Sequence, residues 1–405
     1  MYGGAAYGVW SAPGRVNLIG EHTDHNGGLC LPMAIEHRTY AAARARDDSA
    51  VRVYSAAHPA EEPIAWNGGT DGPPPGAPGW TAYVFGVVAA VRAGVRGGLL
   101  PVAGGAAHGS ARSGDRGLDI AIDSCVPEGA GLSSSAALEC AVAVAVADIL
   151  GADISGADTE NSAVRRTLVA LTRSAENNVM GVPSGPMDQS ASLLAADGHA
   201  LLIDCAGAER PTAPATLVPF DADALRMHAL VIDTRTSHTL TDGGYAQRRR
   251  ECDEAARALG APTLSEADPA DVEELGDPLL RARARHVLTE NARVGSFVRD
   301  LRESASAQRL GALLDESHIS LRDDFAVSTP ELDLAAACAR EAGAFGARMV
   351  GAGFGGSVLA FVPAGAGDPV AQKVVRQVAA AFRAAGFDAP QFFTTRPSAP
   401  ACREQ

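Results

Sequence analysis

Between Gly14 and Gly28 the chain reads GRVNLIGEHTDHNGG, which sets Arg15, Asn17, Glu21, His22, Asp24, His25 and Asn26 among four glycines. Burying so many hydrogen-bonding side chains without partners would cost roughly 1–3 kcal/mol for each unsatisfied group. A polyhydroxylated ligand would supply the partners, because carboxylates accept from hydroxyls while guanidinium and imidazole groups donate. The run therefore reads as a sugar-recognition loop that also carries a cation, Arg15, able to meet a phosphate.

Three further segments could do chemistry. In VPEGAGLSSSAALE, Gly129 and Gly131 permit close backbone approach, and Ser133, Ser134 and Ser135 open a long apolar helix. The first turn of a helix has free N–H donors and about half a positive charge, so it can hold phosphate without lysine. Taken alone, the same residues are equally compatible with an ordinary serine cap after a glycine turn. SAENNVMGVPSGPMDQS carries Glu176 and Asp188 on either side of a Gly-Pro turn. Acidic residues at such turns are commonly just solvated; the functional reading gives one to a metal ion and the other to a hydroxyl nucleophile, the division of labour that phosphoryl transfer needs. In MVGAGFGGS, four glycines lie between two hydrophobic strands, and no helix follows them, so this is not a dinucleotide fingerprint.

One absence narrows the choices. Lys373 is the only lysine, and it lies in an amphipathic helical stretch with no glycine loop before it. Neither a Walker P-loop nor a protein-kinase strand lysine can be built. Any nucleotide must be held by backbone N–H groups, arginine and a metal.

These residues need a scaffold. At 405 residues, two or three domains are expected by the rule of about 150 residues each. The net charge of −14 and pI of about 5.2 argue against nucleic acid or an anionic membrane as partner. The N-terminal residues show no signal-peptide pattern, and the apolar run Ala136–Leu150, broken by Glu139 and Asp148, is too short to span a bilayer. Seven cysteines with no CxxC spacing suggest neither zinc nor a disulfide framework, so a reducing, cytoplasmic compartment is expected. No heptad seam is visible, and a monomer is expected.

Alternation predicts antiparallel strands within 35–66, a strand over Leu118–Ser124, and strands at 199–205 and 227–234. Helices are predicted from Trp80 to about Arg92, up to Leu150 with Gly151 as terminator, over Leu168–Asn178, and repeatedly between Ala246 and Glu341. Arg348–Val362 reads as strand–glycine–strand, followed by the Lys373 helix and a last strand, QFFTTRP. The stretches 68–79 and 103–117 read as loop and surface insertion.

Together, GRVNLIGEHTDHNGG, VPEGAGLSSSAALE and VGAGFGGS, in this order, resemble the three motifs of the GHMP kinase superfamily, and within it the galactokinase family. SGPMDQ, LLIDC, GGYAQRRRECDEAARALG and ESHISLRDDFAVSTPELD extend the resemblance over nearly the whole chain. The resemblance implies an α+β, two-lobed GHMP kinase fold. The N-terminal lobe (1–210) would have a mixed sheet of the ribosomal protein S5 domain 2-like type. The C-terminal lobe (211–405) would have an antiparallel sheet and helices. It also implies ATP- and Mg²⁺-dependent phosphorylation of the anomeric hydroxyl of α-D-galactose. On that reading Glu21, His22, Asp24, Gly185 and Tyr245, with Asp188, hold the sugar. Asp188 is the base or orients the hydroxyl, and Arg15 activates it and steadies the moving phosphate. Gly129, Ala130, Gly131, Leu132, Ser133, Ser134 and Ser135 wrap the phosphates, Trp80 and Tyr83 line the adenine pocket, and Ser135 and Glu176 hold magnesium. A kinase for N-acetylgalactosamine or arabinose, and a non-catalytic galactose sensor, are the alternatives; the intact Ser135-Ala136 pair speaks against the sensor. His25 stands where the family usually has tyrosine.

Overall fold

The structure, a computed structural model, describes residues 6–59, 62–67, 77–102, 116–155, 162–181, 184–206, 214–236, 243–365 and 367–404. Most of the stretches expected as a loop at 68–79 and an insertion at 103–117 lie outside the described residues.

Six strands form the first sheet: β1 (Gly8–Asn17), β3 (Pro32–Ala45), β4 (Val51–Ser55), β5 (Ile64–Trp66), β6 (Leu118–Ser124) and β13 (Cys402–Arg403). Their order is β13-β1-β3-β6-β4-β5, antiparallel except that β4 runs parallel to β6. The antiparallel sheet expected within 35–66 is thus corrected: β6 slots between β3 and β4, because its alternating LDIAIDS buries Leu118, Ile120 and Ile122 on the core face. Against this sheet pack α2 (Ser134–Ile149) and α4 (Met187–Leu194), with α1 (Gly79–Arg96) reaching β4, while α3 (Ala163–Ala175) lies outside them on α1, α2 and α4. Helix α2 is buried on every face from Cys140 to Ala147, so it is a central rather than a surface helix. Its alanines and valines let β1, α1 and α4 approach it closely.

A separate three-stranded sheet, β2 (Leu29–Cys30), β7 (His199–Asp204) and β8 (Ala215–Pro219), was not foreseen as its own unit. The third sheet is antiparallel, with order β10 (Gly346–Val350), β11 (Ser357–Pro363), β9 (Met227–Asp233) and β12 (Gln391–Thr395). Around it lie α5 (Gly244–Ala258), the short α6 (Pro269–Val272), α7 (Pro278–Arg302), α8 (Ala307–Asp323), α9 (Pro330–Ala342) and α10 (Pro369–Ala385). Asp277 and Thr329 cap α7 and α9 ahead of a first-turn proline, the arrangement that leaves no donor wasted.

Two apolar cores belong to the two larger sheets, and a third joins them, setting Val16, Leu18 and Leu31 against Val294, Phe297 and Phe361. The third core lies beneath the loop that follows β1. The helix expected over Leu168–Asn178 begins earlier, at Ala163, and its last turn (Glu176–Met180) widens to π-helical spacing. That widened turn carries Glu176.

Candidate active site

Arg15 lies just after a bulge in β1, and its side chain is buried. Its Nε and Nη2 both lie 2.8 Å from Asp188 Oδ1, and Nη1 donates to the Gly131 carbonyl at 2.6 Å. Burial works against this guanidinium, but Asp188 and Glu21 outweigh it and raise its pKa further. Asp188 occupies the first turn of α4. Its other oxygen accepts from Ser133 Oγ at 2.5 Å. Ser133 precedes α2 in the left-handed conformation, φ 57°, and its hydroxyl makes no capping bond to the helix. One carboxylate thereby joins the strand that enters the sugar loop, the glycine loop and the start of α4.

The loop 18–28 folds upon itself and is held from behind by α7. Asn26 Nδ2 donates to the His22 carbonyl, Thr23 Oγ1 to Gly20 and Leu29, and His286 and Glu290 meet the backbone of Glu21 and Gly20. Glu21 Oε1 accepts from the Gly351 amide at 2.7 Å and lies 3.0 Å from Arg348 Nη2. Burial pushes its carboxyl up, opposed by Arg348 and Arg15. His22, at φ 62°, lies 4.5 Å from the Phe325 ring; burial, then His25 and His286, push its imidazole well below the ordinary value, so it is neutral. Burial alone would raise Asp24, but the hydrogen bonds from the ring and backbone of His25 hold it below the usual carboxylate range. A Cβ added at Gly185 would sit 2.0 Å from Asp24 Oδ2. Tyr245, in the first turn of α5, is kept protonated by burial and by Asp24.

These groups line one cavity of about 710 Å³. Of the residues expected from the sequence, Arg15, Glu21, His22, Asp24, Trp80, Tyr83, Gly129, Gly131, Leu132, Ser133, Ser134, Ser135, Glu176, Gly185, Asp188 and Tyr245 all face it. Ala130 does not: it is buried in the core, and its carbonyl accepts from Ser357 Oγ. Gly131 takes φ +72°, and a Cβ there would meet the Val350 carbonyl at 2.9 Å, so the glycine loop packs directly on the third motif. The first-turn amides of α2 have no partners within the helix, and Ser134 and Ser135 of that turn line the cavity. Burial, then Glu176 and Glu139, push the Tyr83 phenol up to about 12, so it stays a donor.

Sequence reasoning missed His58, whose ring stacks on Trp80 at 6.3 Å, and Ser184, which donates to Glu176 Oε2 at 2.5 Å. No sequence spacing links His58 to Trp80. Ser184, however, lies within the SGPMDQ segment already singled out. Gln189 also donates to Glu176 Oε2 and bridges it to buried Glu139. Both bonds fall on Oε2, which leaves Oε1 for a cation. Ser135 and Glu176 offer only oxygen donors, the chemistry of a hard divalent ion whose remaining ligands are phosphates and water. Among the described residues no cluster of three His, Cys, Asp or Glu could hold a metal unaided. The donor set fits magnesium brought with a nucleotide.

Comparison with known proteins first defines the class. Family models for the GHMP kinases N terminal domain and the GHMP kinases C terminal match residues 101–196 and 297–384. The galactokinase galactose-binding signature matches residues 1–45. The chain is 42% identical to galactokinase of Streptomyces coelicolor, covering 100% of this chain and 96% of that protein. It is 40% identical to galactokinase of Mycobacterium tuberculosis (strain H37Rv), over 97% and 99%. The crystal structure of Lactococcus lactis galactokinase complexed with galactose superposes with a TM-score of 0.81 at 29% identity, covering 98% of this chain and 94% of that one. The fold is therefore that of the GHMP kinases, and the chain belongs to the galactokinase family.

Proposed function

We propose that this chain transfers the γ-phosphoryl group of ATP to the anomeric hydroxyl of α-D-galactose, giving galactose 1-phosphate. The observation that carries the reading is the Asp188 carboxylate, bonded at once to Arg15 and Ser133 where sugar loop and glycine loop meet. On this reading Asp188 receives or orients the proton of the attacking hydroxyl. Arg15 stays charged at any working pH and stabilises charge on the oxygen and on the transferring group. Glu21, His22, Asp24, Gly185 and Tyr245 fix the hexose, so that an epimer would leave buried polar groups unpaired. The loop Gly129–Ser135 and the first turn of α2 hold the phosphates by backbone amides, and Trp80 and Tyr83 flank the base. Ser135 and Glu176 would hold Mg²⁺, which neutralises phosphate charge when bound.

Kinases for related sugars and a non-catalytic sensor are not favoured, because the galactose-binding signature and the intact Ser135-Ala136 pair both speak for the enzyme. The test is ADP release with galactose, glucose, talose and N-acetylgalactosamine, with and without magnesium; equal turnover of all four would remove the galactose assignment. Asp188→Asn should lower kcat by about 10²–10⁴, the usual contribution of a positioned base, while galactose binding by calorimetry persists. Full activity in that variant would refute the role given to Asp188.

We also propose a division into lobes near residue 210, supported by the separate cores of the two larger sheets. A monomer is supported by the scatter of exposed large apolar residues such as Leu99, Leu279 and Ile319. Cytoplasmic residence is supported by seven unpaired thiols. Among the described residues, no helix is long and apolar enough to cross a membrane.

A further inference from the structure

His25 follows Asp24 in the short 3₁₀ turn Asp24–Asn26 beneath the cavity. Its ring does not line the cavity, and its side chain is only 1% exposed. It nevertheless holds two residues that do. Asp24 Oδ1 accepts from the His25 backbone amide at 2.9 Å and lies 3.2 Å from its ring Nδ1. The same Nδ1 lies 3.2 Å from the Tyr245 hydroxyl, with the two rings edge to face at 5.4 Å. With Oδ1 held twice, Asp24 Oδ2 is the oxygen presented beside Gly185 at the cavity wall.

The hydrogen-bond inventory then assigns the protons. An ionised carboxylate only accepts, so Nδ1 must carry hydrogen to bond Asp24. A protonated Nδ1 cannot accept from the Tyr245 phenol, so the phenolic hydrogen is released toward the cavity. Asp24 thus faces the ligand as an acceptor and Tyr245 as a donor. Either ring nitrogen could carry the proton in free imidazole, and Nε2, buried without a partner among the described residues, imposes nothing.

We propose that His25 is a specificity-determining positioning residue: its Nδ1–H pins Asp24 Oδ1 and turns the Tyr245 hydroxyl outward, so that the two groups read a sugar hydroxyl with fixed polarity. This rests on the reading of Asp24 and Tyr245 as sugar-binding residues.

The test compares His25→Phe, which keeps the ring and removes both nitrogens, with His25→Asn, whose amide nitrogen stands close to the position of Nδ1. Galactose binding is measured by calorimetry, KM for galactose and for ATP by ADP release, and binding of the monodeoxygalactoses in parallel. His25→Phe should raise the galactose Kd and KM at least tenfold and leave KM for ATP within twofold. The penalty that the wild type shows against the deoxy sugar lacking the hydroxyl read by Asp24 should shrink. His25→Asn should return galactose binding to within about threefold of wild type. Wild-type galactose binding in His25→Phe, or equal losses in the two variants, would overturn the proposal. If the phenyl ring prevents folding, His25→Leu serves as the nitrogen-free arm. Asp24→Asn separates the two levels. If it weakens galactose binding while His25→Phe does not, only the role of His25 fails; if it binds galactose like wild type, the assignment of the sugar site fails with it.

Discussion

Asp188 is fixed by Arg15 and Ser133, both far away in sequence, and this is where sequence reading reaches its limit. The chemistry of Arg15 and Asp188 follows from residue type and motif, yet from the sequence Ser133 reads as a helix cap, a phosphate donor or a magnesium ligand. Its hydroxyl is instead given to Asp188, 55 positions further on, and no local spacing announces that bond. Gly185 is the complementary case. Its place in SGPMDQ marks a turn, but the reason that only glycine fits is the Asp24 carboxylate, 2.0 Å from where a Cβ would lie. Gly185→Ala should therefore displace Asp24 rather than unfold the turn. The expected result is a loss in kcat/KM for galactose of about 10²-fold, the scale of a 1 Å misplacement in a reacting site. KM for ATP should be almost unchanged. Steady-state kinetics with each substrate varied in turn would check this, and equal losses toward both substrates would contradict it.

At the scale of elements, α7 shows how a helix with no residue in the cavity can set the site's geometry. Its apolar and charged pattern was legible as a helix, but nothing in the pattern told which of its polar residues point inward. His286 and Glu290, both buried, brace the backbone of Glu21 and Gly20 from below. Burial pushes His286 down to about 4. The unfolded chain, with an ordinary imidazole near 6.5, therefore binds a proton that the folded chain refuses. Folding stability is full above pH 6.5 and falls as the pH drops toward 4, by on the order of 3 kcal/mol. Burial would raise Glu290, but Arg293, His286 and Arg348 outweigh it and hold it at about 2. Its contribution is present above pH 4.5 and disappears on further acidification toward 2. Urea midpoints measured at pH 7, 6 and 5 should fall in that order, and His286→Gln should flatten the trend. A wild-type midpoint constant between pH 7 and 5 would contradict this account.

The whole molecule is closed by its last described residues, and that closure was the least legible feature of all. ACREQ carries no periodicity, yet Cys402 and Arg403 pair with β1 as the edge strand of the first sheet. Two buried arginines hold the approach to it. Arg38 donates to the carbonyls of Ala399 and Pro400. Arg165, in α3, donates to those of Leu193, Ala401 and Ile154. Burial lowers the Arg165 pKa, and among the described residues no carboxylate is bonded to it, so backbone dipoles are what stabilise this charge. Its guanidinium serves as a three-way connector between α4, the chain end and the segment before α3. Removing it leaves three buried carbonyls without that donor, each worth about 1–3 kcal/mol. Arg165→Ala should accordingly lower the unfolding free energy by several kcal/mol and expose the first sheet's edge at β1. The measurements are the urea midpoint and the protection of β1 amides against hydrogen exchange. Lysine cannot satisfy three carbonyls in one plane, so Arg165→Lys should recover only part of the loss. Full recovery by lysine would mean that charge, rather than the guanidinium's geometry, holds the chain end in place.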